Sequence, residues 1–403
     1  MDIDPNSRFL LKAFRKYYRE NPPIVPERFG RREFGFMFFD RTYVQRHMSF
    51  TRTSELQRFL VGQVPSHCYY STSYYQKPAA PTMEEKSWMG ADLIFDLDAD
   101  HLAGADKMTY SEMLDQIKKE MINLVDSFLL GDLGFSEKDV NIVFSGGRGY
   151  HAHVVTKDVV GLGSAERREI VDYITSSGLI GEWVFPYNRV AKSVTNYGKI
   201  KRVNDAWDRT VPRADSGGWR GRMRNGLALL VEDICNNDAD ELRKAYPSLA
   251  GTPLKTLKEF KERVSKAKDQ MFEKDLMAAV GKKEHQELLV KIMTEDVVKG
   301  LSGEVDEPVT ADVKRLIRLP GSVHGKSGLR VTPLTREQLD GFDPLRDSVP
   351  KEYSDDPVKV TMRRDYEVTI KGERFSLSGE TEVPEYAAVF LIGRKAADLC
   401  RSE

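Results

Sequence analysis

Residues 92–100 read DLIFDLDAD, an apolar run broken by aspartates at every second or fourth position. The flanking Leu93, Ile94, Phe95 and Leu97 suit a buried strand. On a strand, side chains two apart share a face, so Asp96 and Asp98 project together from an apolar ribbon. Adjacent carboxylates repel, and a fold that keeps them usually supplies a cation. A hard ion such as Mg²⁺ or Mn²⁺ takes oxygen ligands, and two such ions roughly 4 Å apart can serve both oxygens of an in-line displacement. Parity alone leaves the choice open, because Asp92 and Asp100 share the same face, and a DxD by itself is equally a solvated strand end.

Downstream, residues 140–155 read VNIVFSGGRGYHAHVV, two β-branched or aromatic runs joined by a glycine-rich connection. Glycines let backbone N–H groups close on an anion, and Arg148 can grip phosphate with two nitrogens. Ser145 adds a hydroxyl. His151 opens the second run and His153 shares its face, which fits either two metal ligands or buried, hydrogen-bonded histidines.

The third concentration of chemistry starts at Asp306, in DEPVTADVKRLIRLPGSVHGKSGLRV. Residues 308–317 are predicted to be a helix leading into Arg318. Pro320, Gly321, Gly325 and Gly328 then force an open loop carrying Ser322, His324 and Lys326. A hydroxyl, an imidazole and an ammonium in one loop suit a triphosphate, although a basic surface loop would read the same way in isolation.

Taken in order, these motifs resemble those of the archaeo-eukaryotic DNA primase small, catalytic subunit: an acid pair on a strand, SGxRGxH, then an aspartate followed by an RxPxSxHxKTG-like loop. The segment RREFGFMFFDRTYVQRHMSF at 31–50 is similar to the early REFSF…R…SF stretch of that family. The resemblance implies that Asp96, Asp98 and Asp306 are the catalytic metal-binding triad. It further implies that Arg46, Ser145, Arg148, His151, Arg318, His324 and Lys326 bind the incoming nucleotide. The expected activity is a DNA primase, a nucleotidyltransferase with DNA-directed RNA or DNA polymerase activity. It would start chains on single-stranded DNA from NTPs and possibly dNTPs, as a heterodimer with a large subunit. Competing readings are a primase-polymerase of a mobile element, the polymerase domain of an end-joining ligase, or a non-catalytic single-strand binding subunit. Family members commonly carry a zinc knuckle after the acid pair. Here residues 101–114 read HLAGADKMTYSEML, with His101 and no cysteine, so no zinc is expected.

The expected fold is an α/β (α+β) catalytic core with mixed sheets plus a mostly helical inserted portion. Residues 1–160 and 301–350 would form the two halves of the core, 161–300 an irregular basic stretch and helical portion, and 351–403 closing strands with a helix over 384–400. Residues 189–225 hold ten Lys or Arg, three Asp and the tryptophans Trp207 and Trp219. Their lack of periodicity predicts an irregular segment, and Arg220, Arg222 and Arg224 are candidate template contacts, since single strands are held by phosphate contacts and aromatic stacking.

Composition constrains the remainder. In 403 residues, 61 basic side chains face 62 acidic ones, which argues against a histone-like binder while permitting a local basic groove. Cys68, Cys235 and Cys400 are dispersed, so neither a disulfide framework nor a CxxC pair is expected. A charged N-terminal segment and no apolar run longer than about 387–392 predict a cytoplasmic protein without a membrane span.

Overall fold

A computed structural model describes residues 4–102, 104–197 and 200–400. The chain forms two compact units. One comprises the described residues up to Val171 and those from Glu304 onward, and the other is Asp172–Gly303. The class is α+β, and every strand pairing among the described residues is antiparallel.

The first unit is organised around two four-stranded sheets. One runs in the order Leu316–Arg318, His67–Ser71, Phe34–Met37, Gln45–Met48. The other runs Thr332–Leu334, Val140–Phe144, Gly149–Val154, Leu93–Asp98. Each contains early strands and one late strand, so the segment after Glu304 completes both sheets. Phe34, Phe36, Phe50 and Phe59 interlock with ring centroids 4.5–6.5 Å apart and fill the core beneath the first sheet. Helix Tyr110–Asn123, started by a Thr109–Glu112 capping box, buries Leu114, Ile117 and Met121 against the second sheet. Its periodicity predicts a continuous helix, and from Leu124 to Asp132 the backbone does continue, but with the wider π winding.

Three local expectations are corrected. The expected helix over 308–317 is a short helix, Glu307–Ala311, after which Leu316–Arg318 is a strand; Leu316 and Ile317 pair with Ser71 and Tyr70, and sheet hydrogen bonds outweigh a weak helical pattern. The closing helix ends at Gly393, and Ala397–Leu399 forms a strand against Val360–Met362. Finally, the stretch expected to be irregular is ordered. Tyr187–Tyr197 and Ile200–Arg209 form a long hairpin, and Gly218–Asn236 is a helix. In the second unit that helix buries Met223, Leu227, Leu230, Val231 and Ile234, with helix Leu254–Lys274 and the turns Met293–Val297 and Val298–Leu301 as its neighbours.

Candidate active site

Strand Leu93–Asp98 lies beside Gly149–Val154 in a register that sets Asp96 opposite His151 and Asp98 opposite Gly149. The pairing demands a glycine at 149, since a Cβ there would run into the Leu97 carbonyl. His151 Nε2 consequently stands 3.3 Å from Asp96 Oδ1. Asp306 arrives from the late segment, its backbone N–H donating to the Asp96 carbonyl at 3.0 Å. That bond brings the third acid next to the pair.

Asp92 and Asp100, which share the face of Asp96 and Asp98 in sequence, have other partners. Asp92 is buried and accepts from Arg32 at 2.6 Å and from the Tyr74 hydroxyl. Asp100 is paired with Arg148. Asp96 and Asp98, by contrast, open into the site, and burial followed by the charges of Asp98 and Asp306 pushes the Asp96 carboxyl up to about 7. Among the described residues, no three His, Cys, Asp or Glu side chains are yet drawn to metal-ligand spacing. Three carboxylates that repel one another are nevertheless the donor set that suits a hard divalent cation.

Two cavities share Asp96 and Asp98. On one side, a cleft of about 200 Å³ is lined by Ser145, Arg148, His151, Arg318, His324, Lys326 and Arg394. On the other, a cavity of about 350 Å³ is walled by Leu102, Ile117, Val305 and Pro308 together with Glu304, Asp306 and Glu307. The first is cationic and the second acidic and apolar.

The glycine loop and the late loop touch in the cationic cleft. Gly146, at φ +75°, leaves no room for a side chain, because a Cβ would sit 2.8 Å from the His324 Cβ. Ser327 donates its hydroxyl to the Gly146 carbonyl. Ser145 Oγ accepts from Gly147 N, which tightens the turn. His324 is fixed by its own loop, with its N–H to the Leu329 carbonyl at 2.9 Å and Gly328 N–H to its carbonyl at 2.7 Å. Arg318 reaches His324 Nε2 at 3.1 Å and lies over the Tyr69 ring, while its Nη1 is buried without a partner among the described residues. Burial and the nearby Arg318 hold His324 well below the ordinary imidazole range, and His67, which accepts from Gly325 N–H, is held at about 2 by the same causes. Both imidazoles are thus held neutral by burial and the neighbouring cations.

Several sequence candidates fall elsewhere. Arg46 does not line the cleft; two guanidinium nitrogens bind the buried Glu33 carboxylate, each at 3.1 Å. His153 is not a ligand partner of His151; its Nδ1 meets the Tyr70 hydroxyl at 3.2 Å. Arg220, Arg222 and Arg224 sit on a helix, where Arg222 points about 200° away from the other two. Arg224 is not available to a template: it pairs with Asp275 and donates to the Pro212 and Phe272 carbonyls. Trp219 is buried, with its indole N–H on the Tyr173 carbonyl, whereas Trp207 is 71% exposed. The side chains of 191–205 and of His101 lie outside the described residues. Conversely, His67 and Arg394 were missed. A lone histidine in a strand and an arginine after an apolar helix carry no motif.

A family model described as the DNA primase small subunit matches residues 95–336, from the acid strand past the late loop. The chain is 44% identical to the DNA primase small subunit of Methanocella arvoryzae over 98% of this chain and 99% of that one. It is 42% identical to the small subunit of Methanococcoides burtonii and 41% to that of Methanothrix thermoacetophila, each over 98% of this chain and at least 98% of theirs. The chain belongs to the DNA primase small-subunit family. It is therefore a nucleotidyltransferase of the primer-synthesising class. Likeness to primase small subunits along the whole chain sets aside the mobile-element, end-joining and non-catalytic readings. Among the described residues of this primase subunit, no helix is long and apolar enough to cross a membrane.

Proposed function

We propose that this primase subunit makes short primers de novo on single-stranded DNA, holding two divalent ions on Asp96, Asp98 and Asp306 and the incoming nucleotide's triphosphate in the cationic cleft. The observation that carries this reading is the shared acid pair: Asp96 and Asp98 form the boundary between a cleft fit for phosphates and a cavity fit for a sugar and base. Bound Mg²⁺ or Mn²⁺ supplies the lowered pKa of the attacking 3′-hydroxyl and neutralises charge on the departing pyrophosphate.

The protein's own groups do the positioning. Arg148, Lys326 and Arg318 set the phosphates in line, while neutral His324, whose Nε2 accepts from Arg318, steadies that guanidinium and neutral His151 stands with its Nε2 against Asp96. Arg148 exchanges Asp100 for phosphate, so its ion pair parks the guanidinium at the mouth of the cleft until substrate arrives. Among the described residues, the cavity beyond the acids has no lysine or arginine in its lining, which favours a nucleoside end over a triphosphate. A large subunit and the cytoplasm are the partner and compartment that fit a primase small subunit. Zinc is not among the expected metals, for lack of a cysteine cluster.

The test is primer synthesis on single-stranded DNA without any added primer, using NTPs or dNTPs in turn. Activity is expected with Mg²⁺ or Mn²⁺, with purified large subunit present or absent. Extension confined to a supplied primer, under every metal and nucleotide, would sink the de novo reading.

A further inference from the structure

We infer that Arg394 contacts the triphosphate of the bound nucleotide, so that the C-terminal segment completes the nucleotide cleft. This rests on the cleft being the triphosphate site, and it concerns a residue outside every motif described above and beyond the 95–336 family match.

Helix Glu385–Gly393 buries every residue from Tyr386 to Gly393, and Arg394 is its C-cap, with its N–H on the Phe390 carbonyl at 2.9 Å. Two glycines seat the helix directly on the late loop. A Cβ on Gly393 would lie 3.1 Å from the Lys326 carbonyl carbon and 3.2 Å from Ser327 N, and a Cβ on Gly328, at φ +69°, would collide with Val389. Arg394 is thereby delivered beside Lys326. Its guanidinium lies 4.4 Å over the Tyr110 ring, and the Tyr110 hydroxyl donates to the Gly147 carbonyl. Arg394 is thus tied to the late loop through Gly393 and to the glycine loop through Tyr110.

The plain alternative is a cation that neutralises the helix C-terminus. It accounts for a positive charge at that position. It does not account for an Nε buried with no partner among the described residues, nor for a guanidinium lining a cleft that already holds Arg148, Arg318 and Lys326. Among the described residues no carboxylate pairs with Arg394, and setting it beside Arg318 and Lys326, with Arg148 already on Asp100, is unfavourable until an anion enters.

The experiment uses the full chain with Ca²⁺, which supports binding while suppressing turnover, and compares ATP with AMP by calorimetry for Arg394→Gln, Arg394→Lys and Lys326→Ala. Arg394→Gln is expected to weaken ATP about tenfold to a hundredfold and AMP less than about twofold, as for loss of one charge-assisted contact. Arg394→Lys should recover part of the loss. Unchanged ATP affinity in Arg394→Gln, with Lys326→Ala weakened, overturns the role of Arg394 alone. If both variants bind ATP like the parent, the reading of the cleft itself fails. Equal losses of ATP and AMP accompanied by a lower melting temperature in both Arg394 variants would make it a structural cap.

Discussion

The two walls of the active site are unfavourable in opposite senses. On the acid wall, burial and like charge lift Asp96 to about 7; on the phosphate wall, burial and neighbouring cations drive His324 and His67 far down. On the proposed reading, both are relieved together by one ligand that carries divalent cations on one side and a polyphosphate on the other. On that reading the protein alone is an incomplete electrostatic structure that its substrate completes. The second unit contrasts with this. There Arg224 and Arg209 already have their carboxylates, Asp275 and Glu287, and their charge is spent on the fold.

The sharpest way to break this contrast is to neutralise the acid wall. Asp96→Asn, Asp98→Asn and Asp306→Asn are each expected to lower primer synthesis by about a thousandfold or more, since each would remove a ligand from the proposed metal site. A folded variant retaining activity within about tenfold would remove that residue from the wall. On the phosphate wall, Arg148→Ala and Lys326→Ala should raise KM for nucleotide about tenfold to a hundredfold, with smaller effects on kcat at saturation, as steady-state kinetics would show.

The acid wall also has a stability signature. With its folded pKa raised, Asp96 costs nothing below pH 4, where it is protonated in both folded and unfolded chains, and destabilises progressively as pH rises toward 7. Asp96→Asn should therefore melt with the parent at pH 4 and above it at pH 7, by about a few degrees, without metal. Buried histidines pull the parent's own curve the other way below pH 6.5, so the difference between the two proteins is the quantity to follow. Mg²⁺ with ATP should abolish that difference. A difference already full at pH 4 would show that Asp96 is not raised.

The smallest effects belong to the second unit. Arg224→Ser should lose about 1–3 kcal/mol of stability in denaturant titrations, because it leaves Asp275 and two carbonyls without their donor. Arg220→Ser should leave stability alone and lower the salt slope of single-strand binding by about 0.7 if Arg220 holds a phosphate. An unchanged slope would return that helix to a purely structural role.

Much of the site was legible because its chemistry is local. Asp96 and Asp98 are two apart on a strand, and the glycines of 145–149 and 321–328 announce backbone that must approach another group closely. Long-range partners were not legible. Nothing near Asp92 or Asp100 marks one for Arg32 and the other for Arg148, and Arg46 resembles a phosphate ligand until Glu33 is seen beneath it.

The same division holds for the fold. Alternation and glycine placement along the chain determined the acid strand, the strand–loop–strand unit and the helical insertion, since each depends on neighbours within a few residues. Only the tertiary structure decided that 316–318 is a strand, that the basic stretch forms a hairpin and a helix, and that Arg394 joins the cleft. In each case the deciding energy comes from groups distant in sequence: strand Leu316–Arg318 exists because Ser71 and Tyr70 offer it hydrogen bonds, and Arg394 reaches the cleft because two glycines let its helix lie against the late loop.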